Sequence, residues 1–386
     1  MELTEKDYAL WLFNVPGIGN ASADKLLCSG LSCRDIYGMK AKELSGLLTS
    51  KQITAIEKSR FDWDFEMEKK KLDKKGIRFI SRIEPDFPEK LKDIHNPPFA
   101  LYVNGRLPDP NKPSVAIIGA RMCSEYGRYA ARHFGRGLAL SGVQIISGMA
   151  RGVDGIAQAA ALDAGGDTFA VLGCGPDICY PEENRGIYDG IASTGGIISE
   201  YAPGTMPESR NFPVRNRIIS ALADVVLVVE ARKKSGTQIT VDTALEQGRE
   251  VLAVPGRVTD RLSDGCNSII SQGAGIAVDV EDVLDRLSFG PYAEKAKPKD
   301  KEPKEVKFES ADPGNPLKDS KAHTHGLQEL ILETVDIIPV STSYIMDELY
   351  RRGVEVTIPM LIGTLMDLTS TGQIAQNGAY YRKISA

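Results

Sequence analysis

From Gly76 onward the chain sets down one short apolar run after another, rich in β-branched residues, at 77–80, 100–103, 115–118, 143–146, 168–172, 196–199, 225–229 and 251–254. Runs of four or five residues are strand-length, and their unbroken apolar character marks strands covered on both faces. Segments with helical patterning, at 126–140, 155–162 and 240–247, separate them. Apolar strands alternating with helices define an α/β protein with a doubly wound parallel sheet. That pattern covers residues 76–289 as one domain.

The flanks read differently. Residues 1–75 are helical, with Val15-Pro-Gly-Ile-Gly19 as the turn of a helix-hairpin-helix (SAM-like) domain and a strongly charged helical stretch from Glu57 to Lys75. Two glycines in such a turn let backbone N–H groups face successive phosphates without reading bases. Basic support is thin, because only Lys6 and Lys25 are nearby. Residues 290–325 carry a Lys/Pro-rich composition that cannot bury a core, and are expected to be a flexible linker. In residues 326–386, helical patterns at 327–335, 341–351 and 358–368 precede a hairpin turning at Asn377-Gly378, which together specify a C-terminal winged helix. No Lys or Arg occurs from Thr357 through Thr371, so the helix that would enter a major groove lacks the side chains for it. Its Leu361, Ile362, Leu365 and Leu368 are expected to pack inward, leaving a mostly protein-facing module.

A net charge of −5 over 386 residues excludes a uniformly basic body that coats nucleic acid, so an anion site must be a local patch. Six scattered cysteines without a CxxC, and four histidines, two of them in the presumed linker, give no zinc pattern. The beginning of the chain is acidic and no run reaches membrane-spanning length; a cytoplasmic protein without a membrane partner is expected.

Five segments carry the chemistry. Asn211-Phe-Pro-Val-Arg-Asn-Arg-Ile218 places Arg215, Asn216 and Arg217 at the start of a helix behind a Pro, where guanidiniums offer forked donors to phosphate oxygens. Ile117-Ile-Gly-Ala-Arg121 and Ser147-Gly-Met-Ala-Arg-Gly-Val-Asp154 are strand–turn–helix junctions that bring Gly119, Arg121, Ser147, Gly148 and Arg151 to the carboxyl edge of the sheet. There Asp154 is expected to cap a helix and orient Arg151. Ser235-Gly-Thr237 adds Gly236 and Thr237 to the same rim, and Gly173-Cys-Gly175 makes a further turn. Every α/β sheet needs glycine turns at this edge, but that does not account for the arginines that accompany them. G-x-G-x-x-G, Walker A and G-x-S-x-G are all missing, so neither a dinucleotide cofactor nor a serine nucleophile is indicated. Cys174 and Cys179 read as small buried hydrophobes.

With Leu172-Gly-Cys-Gly-Pro-Asp-Ile-Cys-Tyr-Pro181, Val229-Glu-Ala231, Ala244-Leu-Glu-Gln-Gly-Arg249 and Ala253-Val-Pro-Gly256 in the same order, the chain from Ile77 to about Leu287 resembles the DprA/Smf family of DNA-processing proteins. The resemblance implies a Rossmann-like domain that binds single-stranded DNA, forms a homodimer, protects incoming DNA and loads a RecA-type recombinase during natural transformation. It implies no enzyme activity and no cofactor. By position, Arg121, Ser147, Gly148, Arg215, Asn216 and Arg217 correspond to the family's pocket. Two departures stand out: Gln158 replaces a frequent His, and Glu182-Glu183 replaces a basic start after Pro181, leaving Arg185 for that role. The lysine-decarboxylase-like nucleotide phosphoribohydrolases share the sheet type. They need a catalytic Glu soon after a Gly-Thr turn, where this chain has Gln238-Ile-Thr240. A winged-helix regulator is the remaining reading.

Overall fold

All eight apolar runs become strands of one nine-stranded sheet in the computed structural model, which describes residues 2–288, 320–335, 340–352, 354, 356–377 and 380–384. The strands are β1 (Ile77–Ser81), β2 (Ala100–Gly105), β3 (Ser114–Ile118), β4 (Gln144–Ser147), β5 (Thr168–Leu172), β6 (Gly196–Ser199), β7 (Val225–Val228), β8 (Glu250–Ala253) and β9 (Gly275–Ile276). Their order is β1-β2-β6-β5-β4-β3-β7-β8-β9. From β6 to β9 every pairing is parallel, as expected of a doubly wound sheet, whereas β1–β2 and β2–β6 at one edge are antiparallel. The cause lies in the β1–β2 connection. Its only helical element is the three-residue 3-10 turn Glu89–Leu91, too little for the crossover that a parallel pair requires. Strand order reverses between β3 and β7, in register from Val115↔Val225 to Ile118↔Val228.

Residues 1–75 form α1 (Glu5–Phe13), α2 (Asn20–Leu27), α3 (Cys33–Gly38), α4 (Ala41–Leu44), α5 (Ser50–Asp62) and α6 (Phe65–Lys74). The charged stretch from Glu57 is therefore two helices. Trp63 leaves the helix with ψ 118°, and the Asp64 carboxylate restarts it by accepting from the Met67 N–H at 3.0 Å. These helices do not close a core of their own. Trp11, Leu26, Ile36 and Ile56 pack in one cluster with Ile77, Phe79, Phe99 and Tyr102 of the antiparallel edge.

The remaining helices of this unit are α7 (Glu125–Leu140), α8 (Val153–Asp163), α9 (Arg185–Thr194), α10 (Asn211–Leu222), α11 (Gly236–Glu246), α12 (Asp264–Ser271) and α13 (Val280–Ser288). Strand alternation sorts the core into two layers. Val115 and Ile117 of β3 join Phe134, Leu138 and Val283 on one face, whereas Ala116 and Ile118 join Ile218, Leu222 and Val241 on the other.

The chain divides into two compact units, Met1–Lys299 and Asp300–Ala386. In the second, α14 (Ser320–Thr334), α15 (Thr342–Arg351) and α16 (Ile358–Ser370) accompany an antiparallel sheet. Its strands are β10 (Val340–Ser341), β11 (Ile374–Asn377) and β12 (Tyr380–Lys383), in the order β10-β12-β11. Helix α14 begins inside the segment read as linker, so the backbone of 320–325, His323 and His325 included, is helical. Residues 290–319 of that expected linker and Gly378 of the expected turn lie outside the described residues. Leu361, Leu365 and Leu368 are buried, as expected, but Ile362 is exposed together with Ile358, Met360 and Met366. No helix among the described residues is long and apolar enough to cross a membrane.

Candidate nucleic-acid interface

At the β3–β7 reversal, neighbouring crossovers leave on opposite faces of the sheet and open a crevice beyond the strand ends, where ligands of open α/β sheets sit. Here the crevice is a pocket of 520 Å³. Its first wall is the turn after β3. Ala120 donates its N–H to the Glu230 carbonyl at 2.7 Å and accepts from the Val153 N–H at 3.2 Å. Gly119 is wedged between them, and a Cβ there would lie 2.8 Å from a Val153 methyl and 2.9 Å from the Glu230 oxygen. This clamp projects Arg121 outward. Arg121 is exposed, has no ion pair among the described residues, and lies 5.4 Å from the centre of the Phe212 ring. A cation with no carboxylate partner beside an aromatic face suits a phosphate with its base.

Arg215 of α10 forms the floor and is 4% exposed. Its Nη1 donates to the Gly148 carbonyl at 2.9 Å and also to the Val171 carbonyl. Gly148 has no side chain because the guanidinium occupies that space, 2.6 Å from where a Cβ would be. Burial lowers the Arg215 pKa to about 10, while the facing Asp154 carboxylate works to raise it. Asp154 is itself pushed above the usual carboxylate range by burial, against the charge of Arg215 and the Gly148 N–H at 3.2 Å. Asp154 therefore offsets the Arg215 charge at longer range; it neither orients Arg151, which pairs with Glu183, nor caps α8, whose N-cap is Gly152 with no side-chain bond. The Arg215 Nε is buried without a partner among the described residues. The third wall is the start of α11, where extended Ser235 leads into Gly236 and Thr237 with no side-chain cap on the first N–H groups. The Ser235 hydroxyl oxygen is likewise buried and unpaired among the described residues. Unpaired donors at a helix start, with two guanidiniums, favour an anion.

The structure thus brings Gly119, Arg121, Arg215, Asn216, Gly236 and Thr237 to this pocket, with Gly148 and Arg151 in a small adjoining recess. It does not bring the others. Ser147 is buried, donating its hydroxyl to the Ile117 carbonyl at 2.6 Å. Arg217 leaves the pocket altogether: it is 7% exposed and gripped by both oxygens of Glu200, at 2.7 and 2.9 Å. Arg185 lines neither cavity and pairs with Glu182 at 3.0 Å, and Arg151, in the recess, pairs with Glu183 at 2.5 Å; both are exposed. Gln158, the departure from His, is a buried brace that accepts from the Met149 N–H at 3.0 Å and donates to the Phe169 carbonyl at 2.9 Å. Two aromatic lining residues were not singled out from sequence. Phe212 and Tyr180 stack with centroids 5.5 Å apart, and each lies inside a segment that draws notice for its arginines or turns. Cys174 and Cys179 are buried free thiols, and burial raises Cys174 to about 11.

The turn between α1 and α2 is tied to α5 and to the sheet edge. Gln52 donates to the Gly17 carbonyl at 2.9 Å, and Asn20 donates to Glu200 at 2.7 Å while accepting from the Phe99 N–H at 3.0 Å. Here the hairpin braces the sheet edge.

Fold and pocket together define a Rossmann-like protein with an anion-directed site at the switch point of its sheet. The chain belongs to the DNA recombination-mediator protein A family, whose model matches residues 78–288. It is 39% identical over 227 residues to the DNA processing protein DprA of Streptococcus pneumoniae, covering 58% of this chain and 80% of that one. It is 42% identical over 205 residues to protein Smf of Escherichia coli, covering 53% of this chain and 55% of the other. The X-ray structure of the Streptococcus pneumoniae protein covers 74% of this chain and 98% of its own at 32% identity, with a TM-score of 0.64.

Proposed function

We propose that this chain is a non-catalytic mediator that holds single-stranded DNA at the β3–β7 pocket. The observation that carries this reading is Arg121, an exposed guanidinium without a carboxylate partner among the described residues, set against Phe212 with the charge of Arg215 behind it. A flexible single strand can feed a phosphate into a concave site and lay a base on the ring, which a rigid duplex cannot do. No arrangement here suits base-edge readout, so sequence preference is slight. Catalysis has little support: the carboxylate lining the pocket, Asp154, is buried against the charge of Arg215, and the neighbouring Ser147 hydroxyl is buried and donates to the Ile117 carbonyl. Gln238 follows Thr237 where a phosphoribohydrolase would soon need its Glu.

Family membership supports a RecA-type recombinase as the partner that receives the strand, and a homodimer through the sheet unit that brings two pockets to one strand. It also supports a cytoplasmic setting. The second unit is accessory: Thr364 of α16 is buried and bonded to the Met360 carbonyl at 2.9 Å, and the exposed side of that helix carries Ile358, Met360, Ile362 and Met366. These side chains suit a protein surface better than a groove of DNA.

Titration of labelled single strand and of duplex, in parallel, tests the reading. Tighter single-strand binding that weakens with salt supports it, and equal or stronger duplex binding overturns it.

A further inference from the structure

Two exposed carboxylate–arginine pairs lie beyond the pocket floor, one at its adjoining recess and one on the turn next to it. Arg215 and Asp154 are buried and form that floor. The two outer pairs, Arg151 with Glu183 and Arg185 with Glu182, are exposed. Arg151 lines the recess that Arg121, Arg215, Tyr180 and Phe212 also line, so its guanidinium stands where a strand leaving the pocket would pass. Glu183 Oε1 holds its Nη2 at 2.5 Å, and Glu182 takes Nε and Nη2 of Arg185 at 3.2 and 3.0 Å. Both acids sit in the single 3-10 turn Glu182–Asn184 directly after Pro181. Neither pair holds the fold together, because all four side chains are at the surface and such pairs exchange partners at little cost.

We propose that Glu182 and Glu183 occupy Arg151 and Arg185 in place of DNA phosphates in the free protein, so that strand entry must displace this acidic turn. The inference rests on the single-strand reading above and adds a specificity determinant to it. A carboxylate presents the same pair of charged oxygens to a guanidinium as a phosphate does. While the turn is in place, Arg121 is the one guanidinium lining the pocket mouth that has no ion pair among the described residues, and the count of phosphates neutralised stays low. A strand long enough to reach past Pro181 exchanges each carboxylate for a phosphate. A strand too short to do so meets the two glutamates as repulsion. Glu182 and Glu183 therefore favour longer strands and lower the affinity for all of them.

The test uses the full chain and an oligothymidylate series, with binding followed across salt for the wild type, Glu183→Gln, Glu182→Gln and the double variant. Glu66→Gln on α6 carries the same change of net charge as either single variant, away from the pocket lining, and is compared with those. The double variant is expected to bind several-fold tighter at low salt and to steepen the log–log salt dependence by about 0.7 for each phosphate gained. The gain at Glu183 should vanish when Arg151→Ala is added. Unchanged affinity and slope in the double variant, an equal gain from Glu66→Gln, or a gain that survives Arg151→Ala each overturns the proposal. Absence of single-strand binding by the wild type would instead remove the underlying reading, and the two failures are read from different proteins.

Discussion

Arg217→Met separates the fold's arginines from the site's. Arg217 Nη2 meets both oxygens of Glu200, and the side chains are 8% and 10% exposed. Removing one partner of a buried pair costs about 3–5 kcal/mol, because the remaining charge is left uncompensated. Two features move the expected value down. Glu200 keeps the Asn20 Nδ2 donor at 2.7 Å, and the Arg217 Nε and Nη1 are buried without partners among the described residues. Deleting those two atoms relieves part of a desolvation cost of about 1–3 kcal/mol. A loss of about 2–3 kcal/mol follows, which moves a urea midpoint by roughly 1 M. Trp11 and Trp63, the chain's two tryptophans, both lie in residues 1–75, whose Asn20 shares Glu200 with Arg217, so their fluorescence reports this joint directly. Adding Glu200→Gln should restore more than half of the loss. Single-strand affinity of the folded variant should stay within a few-fold of wild type. A stability change below about 0.5 kcal/mol, or a collapse of affinity in folded protein, would refute this assignment.

Three further outcomes are expected. Gly152 has φ +75°, and a Cβ there would lie 2.2 Å from the Ala120 carbonyl oxygen. Gly152→Ala should therefore cost more than about 2 kcal/mol in thermal melts and displace the turn that carries Arg121. Burial works to raise the Asp177 pKa, but Lys75 and the Gly204 N–H overcome it and hold the group below its ordinary value. Its stabilisation is complete above the unfolded pKa and fades as pH falls through the depressed folded one. Asp177→Asn should then fall behind wild type in melting temperature above about pH 5, and the gap should narrow as pH drops below the ordinary carboxylate range. Truncation after Ser320 should leave single-strand affinity within a few-fold of the full chain, measured by titration, and a collapse of binding would assign the second unit a direct role.

Much of the sheet was legible because continuous apolar runs of strand length have few other fates. β9 was not, since two residues, Gly275 and Ile276, carry no period. The antiparallel edge was hidden for a related reason: β1 and β2 are covered on both faces like the parallel strands, and only the missing crossover helix distinguishes them. At the site, Arg121 and Arg215 were readable from their junctions. Arg217 was misplaced although helix geometry already speaks against it, because residues two apart on a helix point about 200° away from each other. Arg215 and Arg217 cannot floor the same pocket. The Glu183–Arg151 pair was out of reach, since it joins positions 32 apart through a turn whose course only the fold determines.

The most direct measurement is the anisotropy of a labelled oligothymidylate titrated with wild type and with Arg121→Ala at two salt concentrations. Arg121 has no ion pair among the described residues, so its removal should leave the melting temperature unchanged while lowering affinity at least about tenfold and flattening the salt slope. Wild-type affinity and slope in folded Arg121→Ala would contradict the placement of the strand in this pocket.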